Sequence, residues 1–110
     1  MTSAFIIVEC KCLYSELMKI EIFDTVHELG KAAGIQAAQL IREAIKTNES
    51  ANIILATGTS QFEILKQLIN ADIDWSKVTM FHLDEYIGLP ITDPASFRKY
   101  LLERLYQKFR

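Results

Sequence analysis

Two short apolar runs, residues 52–56 and 78–83, constrain the fold of this chain more than any other feature. Stretches with helical spacing flank them, and a continuous apolar run between helices is typical of a parallel strand covered on both faces. Parallel neighbours need a crossover connection, and residues 61–69 provide one with a helical pattern. The two runs therefore predict an α/β fold built on a parallel sheet.

Further elements are predicted on both sides of this pair. Residues 18–23 alternate apolar and charged side chains, which is the period of a half-exposed strand. Residues 25–46 combine a capping box at their start with apolar positions at steps of three and four, which predicts one long helix. A last helix is predicted to begin with Asp93 as its N-cap and Pro94 as its first residue.

The predicted order, β-α-β-α-β with right-handed crossovers, is an incomplete sheet, because the sequence ends on a helix with no strand after it. We therefore expect a fragment or an obligate partner, and an uncovered sheet edge favours a homo-oligomer. Residues 4–14 are either a further strand or an extension peculiar to this chain. Residues 1–17 are assigned as an N-terminal extension of unknown role, and residues 18–110 as the domain.

The composition argues against several classes of function. The 110 residues carry a formal net charge of −2 and are 50% hydrophobic, which is typical of one globular domain without a basic patch for nucleic acid or a membrane surface. No run approaches the ~18 apolar residues of a membrane span. The first residues lack the basic segment and cleavage site of a signal peptide, so we expect a cytoplasmic protein. Cys10 and Cys12 have no second ligand cluster and are interpreted as reduced thiols.

The residues after the first apolar run, Thr57, Gly58, Thr59 and Ser60, form a loop rich in hydroxyls that leads into a helix. Glycine lets the backbone approach an anion, and both hydroxyls and helix N–H groups can donate to it, so the loop is a candidate phosphate cradle. It is neither a Walker A loop nor a dinucleotide-binding glycine pattern. The alternative is a plain turn in which Thr and Ser cap the helix, and the spacing does not choose between the two.

Two adjacent carboxylates, Asp84 and Glu85, follow the second apolar run. Ligands of open α/β sheets gather at the carboxyl ends of the strands, which makes this strand end a candidate catalytic position. The apolar neighbours of Asp84 predict a desolvation that would raise its pKa and make it a better base. Glu85 is expected to position a neighbouring group. The alternative is an exposed acidic strand end, and His82 is interpreted as structural.

The segment around these carboxylates reads TMFHLDEYIGLPITDPASFRKY and closely resembles the glucosamine-6-phosphate deaminase (isomerase) family, whose hallmark is D-E-Y-x-G-L-P followed by x-H/D-P-x-S-[YF]. The upstream loop, ATGTSQ, resembles the substrate loop of that family at the expected distance. The resemblance covers residues 18–110 as the N-terminal part of a deaminase-like domain. It implies a Rossmann-like, three-layer α/β fold with a parallel sheet, of which this chain holds an incomplete portion.

The resemblance also implies a reaction, the conversion of glucosamine 6-phosphate and water to fructose 6-phosphate and ammonia, without a metal or nucleotide cofactor. Asp84 matches the proton-abstracting aspartate, which would move a proton from C2 to C1 of the open-chain sugar through an enolamine-type intermediate. Residues 57–60 match the loop that holds the substrate. Glu85 is assigned to substrate binding beside them.

Some positions depart from the family pattern, since Gln61 replaces a common proline and Phe97 a common tyrosine. The ring-opening histidine and the basic phosphate ligands of the family belong to a later segment that this sequence lacks. We therefore expect the chain alone to be inactive. The D-E-Y motif favours a deaminase over the sister 6-phosphogluconolactonases, which more typically carry D-E-R. A non-catalytic fragment that binds a sugar phosphate or acts by assembly is the other alternative.

Overall fold

The computed structural model describes residues 5–9 and 19–106, with side chains for residues 20–106. This part is an α/β arrangement with the bounds β1 Phe5–Glu9, β2 Lys19–Phe23, α1 Val26–Asn48, β3 Ala51–Leu55, α2 Phe62–Ile69, β4 Val78–His82 and α3 Phe97–Arg104. Single 3₁₀ turns at Thr59–Gln61 and Trp75–Lys77 precede α2 and β4. Within these residues, no helix has both the length and the hydropathy to cross a membrane.

The parallel pair predicted from the two apolar runs is confirmed as β3 and β4. Its register runs from Ala51 opposite Val78 to Leu55 opposite His82. The backbone N–H of Leu83 still donates to the Leu55 carbonyl at 2.9 Å, so the two chains remain side by side as the strands end. Helix α2 is the crossover between the strands, as predicted.

The helices of the described part pack on one face of this pair. Ile53 packs against a buried cluster that includes residues of α1 and α2. Both Ile53 and Met80 also pack against a second buried cluster, formed by Leu55, Leu65 and Leu105. The alternate positions Ile54 and Phe81 are 67% and 52% exposed on the opposite face. Because successive strand residues point to opposite faces, the described residues supply one helical layer and a small sheet of a partial α/β domain.

The alternation of residues 18–23 correctly predicts the strand β2, but β2 does not join β3 and β4. It pairs antiparallel with β1, from Phe5 opposite Phe23 to Glu9 opposite Lys19. Within the described residues the two pairs form separate sheets, so the single β-α-β-α-β sheet is wrong although its order of elements is right. The nearby apolar segment satisfies the hydrogen bonds of β2 without a long crossover, which an antiparallel pair does not require.

Helix α1 begins as the capping box predicts, because the Thr25 hydroxyl accepts the Glu28 N–H at 3.1 Å. The helix ends at Asn48, two residues beyond the predicted Lys46, and Glu49 after it is left-handed at φ 62°. A left-handed residue directly after the last helical turn is a common way to end an α-helix.

Helix α3 does not begin where the sequence predicts. Its N-cap is Ser96, whose hydroxyl accepts the Lys99 N–H at 3.3 Å. Asp93 instead closes a turn before the helix, where its carboxylate accepts the Ala95 N–H at 2.8 Å. The Asp-Pro pattern is compatible with either arrangement. The choice is made by distant contacts to the first turn, which the next subsection describes.

Helices α1 and α2 approach closely through glycine. Gly30 and Gly34 lie one turn apart on the buried face of α1, where a Cβ atom on either would overlap Glu63 or Gln67 of α2. Glycine inside a helix costs roughly 0.5–1 kcal/mol relative to alanine. Here it permits the contact that places α2, and therefore the loop before α2, over the sheet.

Replacement of Gly34 by alanine is expected to lower the free energy of unfolding by up to about 2 kcal/mol. A Cβ atom there would overlap the Gln67 Cβ, and overpacking costs roughly 1–3 kcal/mol, against the roughly 1 kcal/mol that alanine gains over glycine in a helix. Urea midpoints at an unchanged slope measure the difference. Lys31→Ala, on the exposed face of α1, is the control and should change stability by less than about 0.5 kcal/mol. A more stable Gly34→Ala chain would contradict the close approach.

Candidate active site

The loop after β3 and the carboxylates after β4 both follow the carboxyl ends of their strands, so they leave the sheet on the same side. When the register of the parallel pair is carried two residues beyond Leu55 and His82, Thr57 comes opposite Asp84. The sequence prediction that both candidate groups meet at the carboxyl ends of neighbouring strands is consistent with this register. Open α/β sheets bind their ligands at this edge.

Residues 57–60 do not behave as a capped turn. Gly58 is extended and accepts the Gln61 N–H at 3.0 Å, which closes the 3₁₀ turn before α2. No side chain caps either this turn or α2. The alternative in which Thr and Ser cap the helix is therefore wrong, and the hydroxyls of the exposed Thr59 and Ser60 stay available.

Thr57 provides a second observation at this loop. Its hydroxyl oxygen is fully buried and has no hydrogen-bond partner among the described residues. A buried polar group without a partner is rare, because its desolvation costs roughly 1–3 kcal/mol. The Nε2 of His82 and the hydroxyl of Tyr100 are likewise buried without a partner among the described residues.

Asp84 is exposed, which corrects the expectation that apolar neighbours would bury it. The strand ends at His82, so the residues that follow have left the sheet and its packing. Among the described residues, the Asp84 carboxylate forms no hydrogen bond or ion pair. The carboxylate is therefore exposed and unengaged within the part of the chain that the structure describes.

Glu85 behaves in the opposite way and accepts five hydrogen bonds. Its Oε1 accepts the backbone N–H groups of Tyr86 at 2.9 Å and Phe97 at 3.3 Å. Its Oε2 accepts the Ser96 hydroxyl at 3.0 Å, the Arg98 N–H at 2.9 Å and the Arg98 Nε at 3.2 Å. The carboxylate thus caps the first turn of α3, and this distant contact explains why the helix begins after Ser96.

These contacts lower the pKa of Glu85 from 4.5 to about 2. The N–H of Arg98 has the largest effect and is opposed by partial desolvation, since the side chain is only 18% exposed. The N–H groups of Tyr86 and Phe97 and the Ser96 hydroxyl lower the pKa further. Glu85 therefore stays ionised under conditions in which ordinary glutamates are protonated.

The aromatic residues of α3 contact the end of β4 and the start of α2. Phe97 packs edge-on against His82, with ring centroids 6.0 Å apart, and lies 5.2 Å from the Tyr86 ring. Tyr100 stacks on Phe62 at the start of α2, with centroids 5.5 Å apart. Helix α3 thus contacts the start of α2 and the loop after β4 at once. Phe97, the departure from the family pattern, serves here as a packing residue.

Sequence analysis did not single out Ser96 or Arg98 for this site. Arg98 binds Glu85 and also donates from Nη2 to the Leu89 carbonyl at 2.6 Å. The signal for Ser96 was its position one residue before the apolar stripe of α3, where an N-cap is expected. No local signal pairs Arg98 with Glu85, because the two residues meet only when the intervening loop folds back. Cys10 and Cys12 lie outside the described residues, within which no cluster of His, Cys, Asp or Glu could hold a metal ion.

Fold and site together define a partial α/β domain with a free carboxylate and a hydroxyl loop at one sheet edge. Residues 24–110 match the family of glucosamine-6-phosphate isomerases/6-phosphogluconolactonase, and the chain belongs to that family. Glucosamine-6-phosphate deaminase 2 of Bacillus subtilis is 40% identical over 82% of this chain. The glucosamine-6-phosphate deaminase of Lactobacillus delbrueckii is 34% identical over the same share.

Solved structures agree with the sequence matches. A monomeric glucosamine-6-phosphate deaminase superposes with a TM-score of 0.68 and 32% identity over 76% of this chain. The chain spans 36% of the length of the two bacterial relatives and 35% of that structure. The predicted family and the partial α/β fold are confirmed.

The lowered pKa of Glu85 predicts how stability depends on pH. A carboxylate whose pKa is lowered in the folded state stabilises that state above its unfolded pKa, and the effect disappears as the pH falls through the folded pKa. We expect the wild type to be more stable than Glu85→Gln by a pH-dependent amount. This amount should have its full value above pH 4.5 and should disappear as the pH falls to about 2. Denaturant midpoints measure it, with Glu103→Gln on exposed α3 as the control. A carboxyl ¹³C titration of Glu85 centred near 4.5 would contradict the prediction.

Proposed function

We propose that the protein carrying this chain is a cytoplasmic aminosugar-phosphate isomerase and deaminase, which converts glucosamine 6-phosphate and water to fructose 6-phosphate and ammonia. The observation that supports the proposal is that a hydroxyl loop beginning at Thr57 and a carboxylate without a described partner, Asp84, follow the ends of two neighbouring parallel strands. Membership of the family and the deaminase names of the relatives support the choice of substrate.

In this mechanism Asp84 is the base. Its carboxylate takes the C2 proton of the open-chain sugar, and the electrons of the broken C–H bond form a C1=C2 double bond. The C1 carbonyl oxygen takes a proton from the C2 ammonium group at the same time, which gives an enolamine. Return of the same proton to C1 gives an imine at C2, which water hydrolyses with release of ammonia. The reaction needs an ionised acceptor that is not already engaged, and Asp84 fits because no described residue occupies its carboxylate. Positioned proton transfer of this kind contributes typically about 10²–10⁴-fold in rate.

The loop of residues 57–60 is proposed to bind the sugar phosphate. Its support is the uncapped turn before α2, the exposed hydroxyls of Thr59 and Ser60, and the unpaired hydroxyl of Thr57. N–H groups at the start of a helix favour an anion, and hydroxyls add donors of flexible direction. The assignment of Glu85 to substrate binding stays a prediction, and the following subsection gives this residue a different role.

Replacement of Asp84 by asparagine tests the proposed base. Asparagine keeps the size of the side chain but cannot accept the proton, so kcat for ammonia release should fall by about 10²–10⁴-fold. KM should change little, because the substrate loop is intact. Asp72→Asn is a matched control at an exposed position away from the sheet edge and should retain full activity. Wild-type activity in Asp84→Asn would exclude this residue as the base.

The same assay compares the activity of the 110-residue chain with that of the full-length protein. We propose that the 110-residue chain alone releases no measurable ammonia, since it spans 36% of the length of a relative that is named as a deaminase. The full-length protein is expected to turn over glucosamine 6-phosphate. Turnover by the isolated chain, free of full-length enzyme, would overturn the first statement. Absence of turnover by the full-length protein would overturn the proposed function.

Replacement of Thr57 by valine separates ligand binding from stability. Valine removes an unpaired buried hydroxyl at nearly constant shape, so the free energy of unfolding should rise by about 1 kcal/mol. Affinity for glucosamine 6-phosphate, measured by calorimetry, should fall because a donor is lost. Thr59→Val, where the hydroxyl is exposed, should leave stability unchanged. A Thr57→Val protein that loses stability and keeps its affinity would contradict the assignment.

Two other functions remain open to direct comparison. The family includes 6-phosphogluconolactonases, and side-by-side assays of the full-length protein on both substrates decide between them, with faster lactone hydrolysis ruling against the deaminase. An assembly role is supported by the exposed Ile54 and Phe81 on the sheet face. On this ground we keep homo-oligomerisation as part of the proposal, although the superposed relative is monomeric. Light scattering tests it.

A further inference from the structure

We propose that Glu85 is a positioning residue, whose carboxylate holds the loop that carries Asp84 against the first turn of α3. Glu85 follows Asp84 directly in the chain, so its anchor lies one peptide unit from the proposed base. The catalytic consequence of this role rests on the proposed function. The structural part, that Glu85 orders the loop, stands on the contacts alone.

Glu85 has little capacity left to bind a ligand. Both oxygens already accept hydrogen bonds, two at Oε1 and three at Oε2. A substrate hydroxyl would have to displace a donor from the Ser96–Arg98 segment. Those N–H groups belong to the start of α3 and have no partner within the helix. Displacement would therefore leave helix donors unpaired.

The loop of residues 84–92 has few buried side chains that could hold it in place. Asp84, Tyr86 and Gly88 are exposed, and Ile87 is fully exposed. Gly88 also has a positive φ of 77°, which marks a tight turn. A segment with few buried contacts opens at low free energy unless polar contacts restrain it. Glu85 supplies these contacts at the start of the loop.

Hydrogen bonds from α3 also hold the later part of this loop. The Arg98 Nη2 donates to the Leu89 carbonyl at 2.6 Å while its Nε donates to Glu85 at 3.2 Å. The Lys99 ammonium donates to the Thr92 carbonyl at 3.3 Å. One arginine therefore connects both sides of the loop to α3, and charge-assisted hydrogen bonds of this kind are the strong ones.

The kinetic test uses the full-length protein with Glu85→Gln, which keeps the size of the side chain and removes its charge. We expect kcat to fall by about 100-fold, the typical effect of a misplaced catalytic group, with KM unchanged. In the Asp84→Asn background the same replacement should cause little further loss, because a positioning residue acts through the group it positions. Glu103→Gln, an exposed residue of α3, is the control.

Each other kinetic outcome has a definite meaning. A raised KM with unchanged kcat would make Glu85 a substrate ligand and overturn the proposal. A full additional loss in the Asp84→Asn background would show a general structural effect and would also overturn it. Restored kcat in Glu85→Asp combined with retained KM would support positioning, because a shortened carboxylate can still accept donors from α3.

A second measurement does not depend on activity. Backbone ¹⁵N relaxation and amide exchange of the full-length protein should show that Glu85→Gln mobilises residues 84–92 and exposes the Arg98 amide, whereas Glu103→Gln does neither. If the wild-type full-length protein has no deaminase activity, the proposed function fails while this measurement still tests the anchor. Unchanged order in the loop of Glu85→Gln would overturn the anchor whatever the enzyme does.

Discussion

Parallel hydrogen bonding between β3 and β4 determines where every candidate group lies. The register ends with Leu55 opposite His82, so the loop that begins at Thr57 and the carboxylate of Asp84 follow neighbouring strand ends, although 26 residues lie between them in the sequence. Slippage by one residue would exchange the packed Ile53 for the exposed Ile54. Burial under the helices therefore maintains the register, and the register maintains the neighbouring positions of the loop and the carboxylate. The chemistry proposed for the edge depends on this pairing before it depends on any single side chain.

Beyond the strand ends, hydrogen bonds and an ion pair, and not buried apolar contacts, hold the chain in place. Asp84 and Glu85 are adjacent, yet one carboxylate is exposed without a partner and the other accepts five hydrogen bonds. The difference arises because only the Glu85 carboxylate contacts the first turn of α3. A free acceptor beside a saturated anchor is a division of roles suited to proton transfer, which needs an unengaged base held in a defined place.

Much of the fold followed from local patterns. The capping box at Thr25, the apolar spacing of α1 and the two apolar runs predicted elements that the structure confirms within two residues. The predicted start of α3 was wrong because Asp93 and Ser96 are both good N-caps. The contact that decides between them comes from Glu85, eleven residues before Ser96. The predicted pairing of β2 was wrong because alternation of apolar and charged residues identifies a strand but does not identify the strand beside it.

By itself, the sequence determined the family, the order of strands and helices, and the identity of the candidate groups, because these depend on residue type and spacing along the chain. Tertiary structure decided that Asp84 is exposed, that Glu85 caps α3, and that no side chain caps the turn after Thr57. Those properties depend on which distant donors and apolar surfaces reach a side chain. Such contacts exist only after the helices have packed on the sheet.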